Sequence, residues 1–307
     1  MEIFDVSNNN MDDKIPNAIA AEAPSSVSLL NLRDNRLSGN IPAQIGLLPG
    51  LRILLLGNNR FNGSIPGQLC ELRNISIMDL SNNSFAGQEK FVPYIVDFNQ
   101  DIYDDSSFWN SVQLEDAYSL GKLKGDILKY MSGLDLSCNN LIGFIPQSLG
   151  KLTSLHALNL SNNHLTGFIP VSFSNLAQVE SLDFSYNNLS GKIPSELVDL
   201  NFLAVFSVAH NNLSGRVPDK GQFATFGFNS YEGNPWLSGI PSEKNGTRVI
   251  ETPFPSDELK KNAVLYINTY WRRWWSHFIE KSIYSFYFFV VDPLRKLATN
   301  FKHQFFT

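Results

Sequence analysis

The sequence predicts an α/β repeat solenoid, and three observations carry that prediction. Apolar residues two apart, followed by Asn, recur at Leu30-Leu32-Asn35, Leu54-Leu56-Asn59, Met78-Leu80-Asn83, Leu134-Leu136-Asn139, Leu158-Leu160-Asn163, Leu182-Phe184-Asn187 and Phe206-Val208-Asn211. Within each of the two runs the asparagines lie 24 residues apart, and a degenerate copy, Phe4-Val6-Asn9, precedes them. Most units continue into Gly-x-Ile-Pro, as in Gly39-Asn40-Ile41-Pro42, Gly143-Phe144-Ile145-Pro146 and Gly191-Lys192-Ile193-Pro194. A fixed period in the twenties means stacked copies of one supersecondary unit.

Each element of the unit has a physical reason. Residues two apart point to one side of a short strand, so every L-x-L buries its pair and exposes what lies between. One unit cannot hide that apolar edge alone, whereas stacked units share a continuous core and a parallel sheet along the concave wall. Where the chain leaves the sheet, no ladder satisfies its backbone, and a buried carboxamide both donates and accepts. Asn35, Asn59, Asn83, Asn139, Asn163, Asn187 and Asn211 are therefore assigned to a structural ladder. Gly permits a turn with positive φ, and Pro opens a short helical turn whose next apolar residue (Leu149, Phe173, Leu197) points inward.

These motifs resemble the plant-specific leucine-rich repeat, L-x-x-L-D-L-S-x-N-x-L-x-G-x-I-P. Ser132-Gly133-Leu134-Asp135-Leu136-Ser137, Phe206-Ser207-Val208 and Gly233-Asn234-Pro235-Trp236-Leu237 are similar to the membrane-proximal end of a plant receptor-like protein. The resemblance implies a right-handed superhelix with a parallel sheet on its concave face. It also implies a repeat ectodomain, one transmembrane helix, a short cytoplasmic tail and no kinase domain.

The period breaks between Asn83 and Asn139, and the interrupting segment 88–130 is rich in aromatic and acidic residues. Insertions in a solenoid project from one face and often carry binding function. The family places an island domain, where small ligands or peptides dock, about four repeats before the membrane, and four units follow here. The expected organisation is repeats at 1–87, beginning inside a unit, an island at 88–130, and repeats at 131–226. A C-terminal cap at 227–248, an acidic spacer at 249–262 and a basic aromatic tail at 263–307 complete it.

The formal net charge of −5 is unevenly spread. After Leu259 stand eight basic and two acidic side chains, a net of +6, so the remainder carries −11. An acidic body opposes nucleic-acid binding, and the basic tail, with Trp271, Trp274 and Trp275 beside Arg272 and Arg273, suits an anionic membrane surface. Met1-Glu2-Ile3-Phe4-Asp5 has neither the basic nor the apolar region of a signal peptide. The apolar run Ile283–Val291 falls short of the about 20 residues a crossing needs. The resemblance implies the plasma membrane, while the chain as written lacks a signal peptide and a full span. Cys70 and Cys138 are placed too far apart in the stack to pair. Ser238 stands where the family's cap has Cys, so that end is expected to fray.

No catalytic constellation, phosphate loop or kinase signature is present, so an enzyme is not expected, nor a cofactor or metal. Exposed strand positions offer a second candidate surface: His156, Ala157, Asn159, Glu180, Ser181, Asp183, Tyr186, Ala204, Val205, Ser207 and His210. Asp79, Asp135 and Asp183 share one consensus slot and read as structural, leaving His156, Glu180, Tyr186 and His210 as contact candidates, with Tyr103, Trp109 and Tyr118 from the island. Sequons at Asn62, Asn74, Asn82, Asn159, Asn188, Asn212 and Asn245 suit a secreted glycoprotein. The leading function is recognition of a peptide or pathogen-derived ligand, with recruitment of a co-receptor kinase, in defence or developmental signalling. The alternatives are a non-signalling fragment or an inhibitor of cell-wall-degrading hydrolases.

Overall fold

The computed structural model describes residues 2–17, 27–87 and 132–241. Sixteen short strands follow one another: β1 (Glu2–Asp5), β2 (Val27–Asn31), β3 (Ser38–Gly39), β4 (Ile53–Leu55), β5 (Arg60–Gly63), β6 (Ile77–Asp79), β7 (Ser84–Gly87) and β8 (Gly133–Asp135). The rest are β9 (Asn140–Phe144), β10 (Ala157–Asn159), β11 (His164–Gly167), β12 (Ser181–Asp183), β13 (Asn188–Gly191), β14 (Val205–Ser207), β15 (Asn212–Arg216) and β16 (Trp236–Ser238).

They form two parallel sheets, not the single one expected. The first runs β1-β2-β4-β6-β8-β10-β12-β14 and the second β16-β15-β13-β11-β9-β7-β5-β3. The second sheet arises because the x-L-x-Gly stretch after each Asn stays extended, its Leu or Phe buried (Phe61, Phe85, Leu189, Leu213 at 0% exposure). Side chains reinforce it: Thr166, Ser190, Ser214 and Ser238 donate their hydroxyls to Gly143, Gly167, Gly191 and Gly215 carbonyls of the preceding rung at 3.2–3.4 Å.

Each rung closes through a 3₁₀ turn, at Ala43–Leu47, Gly67–Glu71, Gln147–Lys151, Val171–Asn175 and Ser195–Asp199, with Pro immediately before it. The inward residues Ile45, Leu69, Leu149, Phe173 and Leu197 are buried. Proline suits that place because its fixed φ opens a helical turn and no N–H is lost there.

The asparagines each hold four backbone groups. Asn163 donates from Nδ2 to the carbonyls of Leu136, Leu160 and Ser161, and its Oδ1 accepts the N–H of Leu141. Asn35, Asn59, Asn83, Asn139, Asn187 and Asn211 repeat the pattern. The residue before each Asn is left-handed, with φ of 50–57° at Asn8, Asp34, Asn58, Asn82, Cys138, Asn162, Tyr186 and His210.

Rungs on either side of the interruption are direct neighbours. β6 pairs with β8, Asp79 opposite Asp135, and β7 pairs with β9. Phe85 donates its N–H to Asn139 Oδ1 across 54 positions of sequence. Gly87 and Ser132 thus belong to adjacent rungs, and residues 88–131 lie outside the described residues.

At the C-terminal end the structure departs from expectation. Asn234, 23 residues after Asn211, continues the ladder, donating to Val208 and accepting from Leu213. β16 pairs with β15, and Phe206 packs against Phe223, Phe226 and Tyr231 with ring centroids 4.8–6.1 Å apart. Aromatic burial thus closes a rung where a disulfide-capped end was the reference. Cys70 and Cys138 are not bridged to each other.

Candidate functional site

The last residue of six of the eight first-sheet strands turns out to be structural. Asp5, Asn31, Asp79, Asp135, Asn159 and Asp183 each accept, through Oδ1, the N–H two residues on, at 2.9–3.2 Å. Ser81, Ser161 and Ser185 add their hydroxyls to the same oxygens. Ala157, Asn159, Ser181 and Asp183, expected to be exposed, are buried, because small side chains on rungs one strand spacing apart cover one another. This removes Asn159 from the accessible sequons. Asn62, Asn74, Asn82, Asn188 and Asn212 are exposed, and Asn245 lies outside the described residues.

The four contact candidates fall into two pairs. His156 and Glu180 stand at the entrances of β10 and β12, half-buried, with the Glu180 N–H donated to the His156 carbonyl. His156 Nδ1 lies 3.2 Å from Ser132 Oγ. Tyr186 and His210 are not on strands: both occupy the left-handed turn at the strand exit, where Asn is the usual residue. Their rings stack with centroids 4.4 Å apart and 22° between planes. The His210 ring lies against Gly233, where an added Cβ would meet Nδ1 at 2.4 Å. Burial, then the charges of Glu232 and Asp183, push the Tyr186 hydroxyl above its ordinary value of 10.0. Glu180 and Tyr186 lie six positions apart, so the two pairs sit at opposite ends of the strands, roughly 15–20 Å apart at about 3.3 Å per residue. Tyr103, Trp109 and Tyr118 lie outside the described residues.

The structure adds residues that sequence reasoning missed. Arg33, in a slot usually held by Ser, reaches past Gly57 to Asp79 (Nε to Oδ2 3.1 Å). This is an ion pair whose angle falls outside that of a hydrogen bond. The only sequence signal was the break of the Ser consensus at Arg33 and Gly57. Exposed apolar side chains gather on β9 and the rung of β11, with Phe144 at 65% and Phe168 at 69% exposure. A shallow depression of about 540 Å³ lies elsewhere, lined by Lys14, Asn17, Asn40 and Asn62 among others. Among the described residues no group of three or more His, Cys, Asp or Glu could hold a metal. No helix of the described residues is long and apolar enough to cross a membrane.

The two parallel sheets joined by Pro-led 3₁₀ turns and pinned by one Asn per rung decide the fold class. The chain builds a leucine-rich-repeat solenoid. Leucine-rich-repeat family models match residues 153–213, 26–48, 50–72 and 131–152. Cuscuta receptor 1 of Solanum lycopersicum is 57% identical over 199 residues, covering 56% of this chain and 18% of the relative. This leucine-rich-repeat chain therefore spans under a fifth of that receptor's length. The ectodomain of the Arabidopsis receptor kinase HAESA, in complex with an N-terminally extended IDA peptide hormone, is 33% identical with a TM-score of 0.57. That likeness covers 76% of this chain and 33% of HAESA's. HAESA in complex with IDA and the co-receptor SERK1 is 27% identical with a TM-score of 0.52, covering 81% and 39%.

Proposed function

We propose that this leucine-rich-repeat chain is a ligand-recognition module of a plant cell-surface receptor-like protein, without catalytic activity of its own. The likeness to a peptide-hormone receptor ectodomain, at 33% identity over 76% of the chain, carries the reading. The ligand is a peptide or pathogen-derived molecule, and the signalling partner a co-receptor kinase, as in the HAESA complex with SERK1. Signalling serves defence or development at the plasma membrane. The basic aromatic stretch 263–307 supplies the contact with the membrane surface, through the charge it carries.

The contact residues are Tyr186 and His210 at the strand exits and His156 and Glu180 at the entrances. These four depart from the repeat consensus, whereas the buried Asp and Asn between them serve the backbone. Tyrosine and its stacked neighbour give a ligand a rigid surface at low entropic cost, beside the Glu232 carboxylate.

The test is a chimera in which the matching stretch of Cuscuta receptor 1 is replaced by this chain's sequence. The chimera should reach the surface and respond to the receptor's elicitor. The double variant Tyr186→Asn/His210→Asn, which puts the usual residue of the left-handed slot at both places, should reach the surface equally and lose the response. An unaltered response in the double variant excludes the strand-exit pair.

A further inference from the structure

We propose that Asp79, ion-paired with Arg33 across Gly57, and its register partner Asp135 form a proton-operated clasp on the junction of β6 with β8, closed when one carboxyl is protonated and loosened when both are ionised. That junction joins the rungs that flank the break in the period.

The geometry is particular to these rungs. Asp79 and Asp135 are register partners on adjacent parallel strands, which sets their Cα atoms about 4.8 Å apart. Both are buried, at 4% and 5% exposure. Each is anchored by the amide two residues on, so neither is free to swing away from the other. The cation stands two residues past β2, two rungs from β6, and reaches Asp79 only because the intervening rung has Gly57; a Cβ there would fall 2.8 Å from both Asp79 carboxylate oxygens.

Among the described residues the remaining neighbours offer no second cation at the pair. β4 presents Leu55 and Gly57, and β10 presents the uncharged Asn159. His156 at the entrance of β10 is turned to Ser132. β12 adds another acid, Asp183, two rungs from Asp135. Two carboxylates that close to each other in a low-dielectric site do not both ionise readily. Burial, then the Asp79 charge, raise Asp135 from 3.8 to about 7, against the lowering effects of Ser137 and Arg33.

The sign follows from proton linkage. Asp135 holds its proton more tightly when the junction is closed than when it is open, so opening releases a proton and rising pH favours it. The stabilising contribution is fully present below the open-state value of 3.8, declines as pH rises, and is exhausted once pH has passed through about 7.

The experiment is native-state hydrogen exchange on the full chain at pH 6 and pH 8, expressed as protection factors. The amides of Leu80 and Gly133, bonded across the junction to Asp135 and Ser76, report the clasp. The Leu160 amide, bonded to Asp183 between β10 and β12, is the internal reference. With a closed-state value near 7, protection at the junction should fall about tenfold relative to the reference over that range. Asp135→Asn should abolish the fall, and it should fold, because Asn159 already occupies the equivalent slot. Arg33→Met should shift the midpoint to higher pH, since Arg33 acts to lower Asp135. A junction-to-reference ratio constant with pH, or an unchanged fall in Asp135→Asn, overturns the proposal.

Discussion

The carboxamide of Asn163 reaches back one rung to the carbonyl of Leu136 at 3.0 Å, while its Oδ1 accepts the Leu141 N–H at 3.0 Å. All of these groups are buried, so Asn163→Ala strands a donor and several acceptors with no water to replace it. The expected loss is about 1–3 kcal/mol for each group left unpaired. The neighbouring Asn162 has φ of 52°, which makes alanine a strained control and glycine the proper one. Asn162→Gly should change stability by no more than about 0.5 kcal/mol. Urea melts giving equal losses for the two would refute the ladder.

Close approach of neighbouring turns gives a second expectation. A Cβ at Gly150 would lie 2.3 Å from the Ser172 carbonyl oxygen on the next rung, whereas one at Gly67 meets nothing within 4 Å. Gly150→Ala should destabilise by about 1–3 kcal/mol, since backbone must move. Gly67→Ala should be neutral or stabilising by up to about 1 kcal/mol, through the unfolded chain. Thermal melts of the two variants distinguish them.

Burial makes the sequons unequal. In the chain expressed through a secretory pathway, peptide mapping should find glycan on the exposed Asn188 and Asn212 and none on Asn159, which is 0% exposed. Glycosylated Asn159 in folded protein is incompatible with the strand-slot geometry.

The Tyr186 hydroxyl has a spectroscopic signature. Burial, then Glu232, then Asp183 hold it above 10.0, so its ionisation costs more in the folded than in the unfolded chain, and this linkage weakens folding only as pH rises past 10. Burial also raises Tyr231, so absorbance titration should contain late tyrosines, of which Tyr186→Phe removes one. Glu232→Gln should move it down toward 10.0. A titration curve unaltered by either variant contradicts the placement.

The period of 24 made most of the fold legible, because L-x-L and Asn have demanding partners in every rung. The second sheet was less so: x-L-x-Gly has only a single buried residue to announce a strand. The closing rung escaped because its ladder residue, Asn234, comes 23 positions after Asn211, with Gly233 in the turn slot and aromatic rather than aliphatic burial. Alternation pointed the strand slots outward, but it carries no information on how small side chains shield one another, so Asn159 and Asp183 were read as exposed. Tyr186 and His210 were recognised as departures from the repeat, yet their stacking needed the left-handed turn to bring the rings together. Arg33 acts two strands away from itself, a contact that no local pattern encodes.

Ligand recognition by the strand-end residues of the last rungs, as proposed above, can be tested without knowing the ligand. The most direct measurement is selection of a random peptide library on the immobilised chain, followed by affinity measurement of the enriched peptides on Tyr186→Phe/His210→Asn and on His156→Ala/Glu180→Ala. Enriched peptides that lose about tenfold or more in affinity, some 1.4 kcal/mol, on at least one double variant with unchanged melting temperature are the predicted result. Peptides that bind both variants as tightly as the original chain would contradict it.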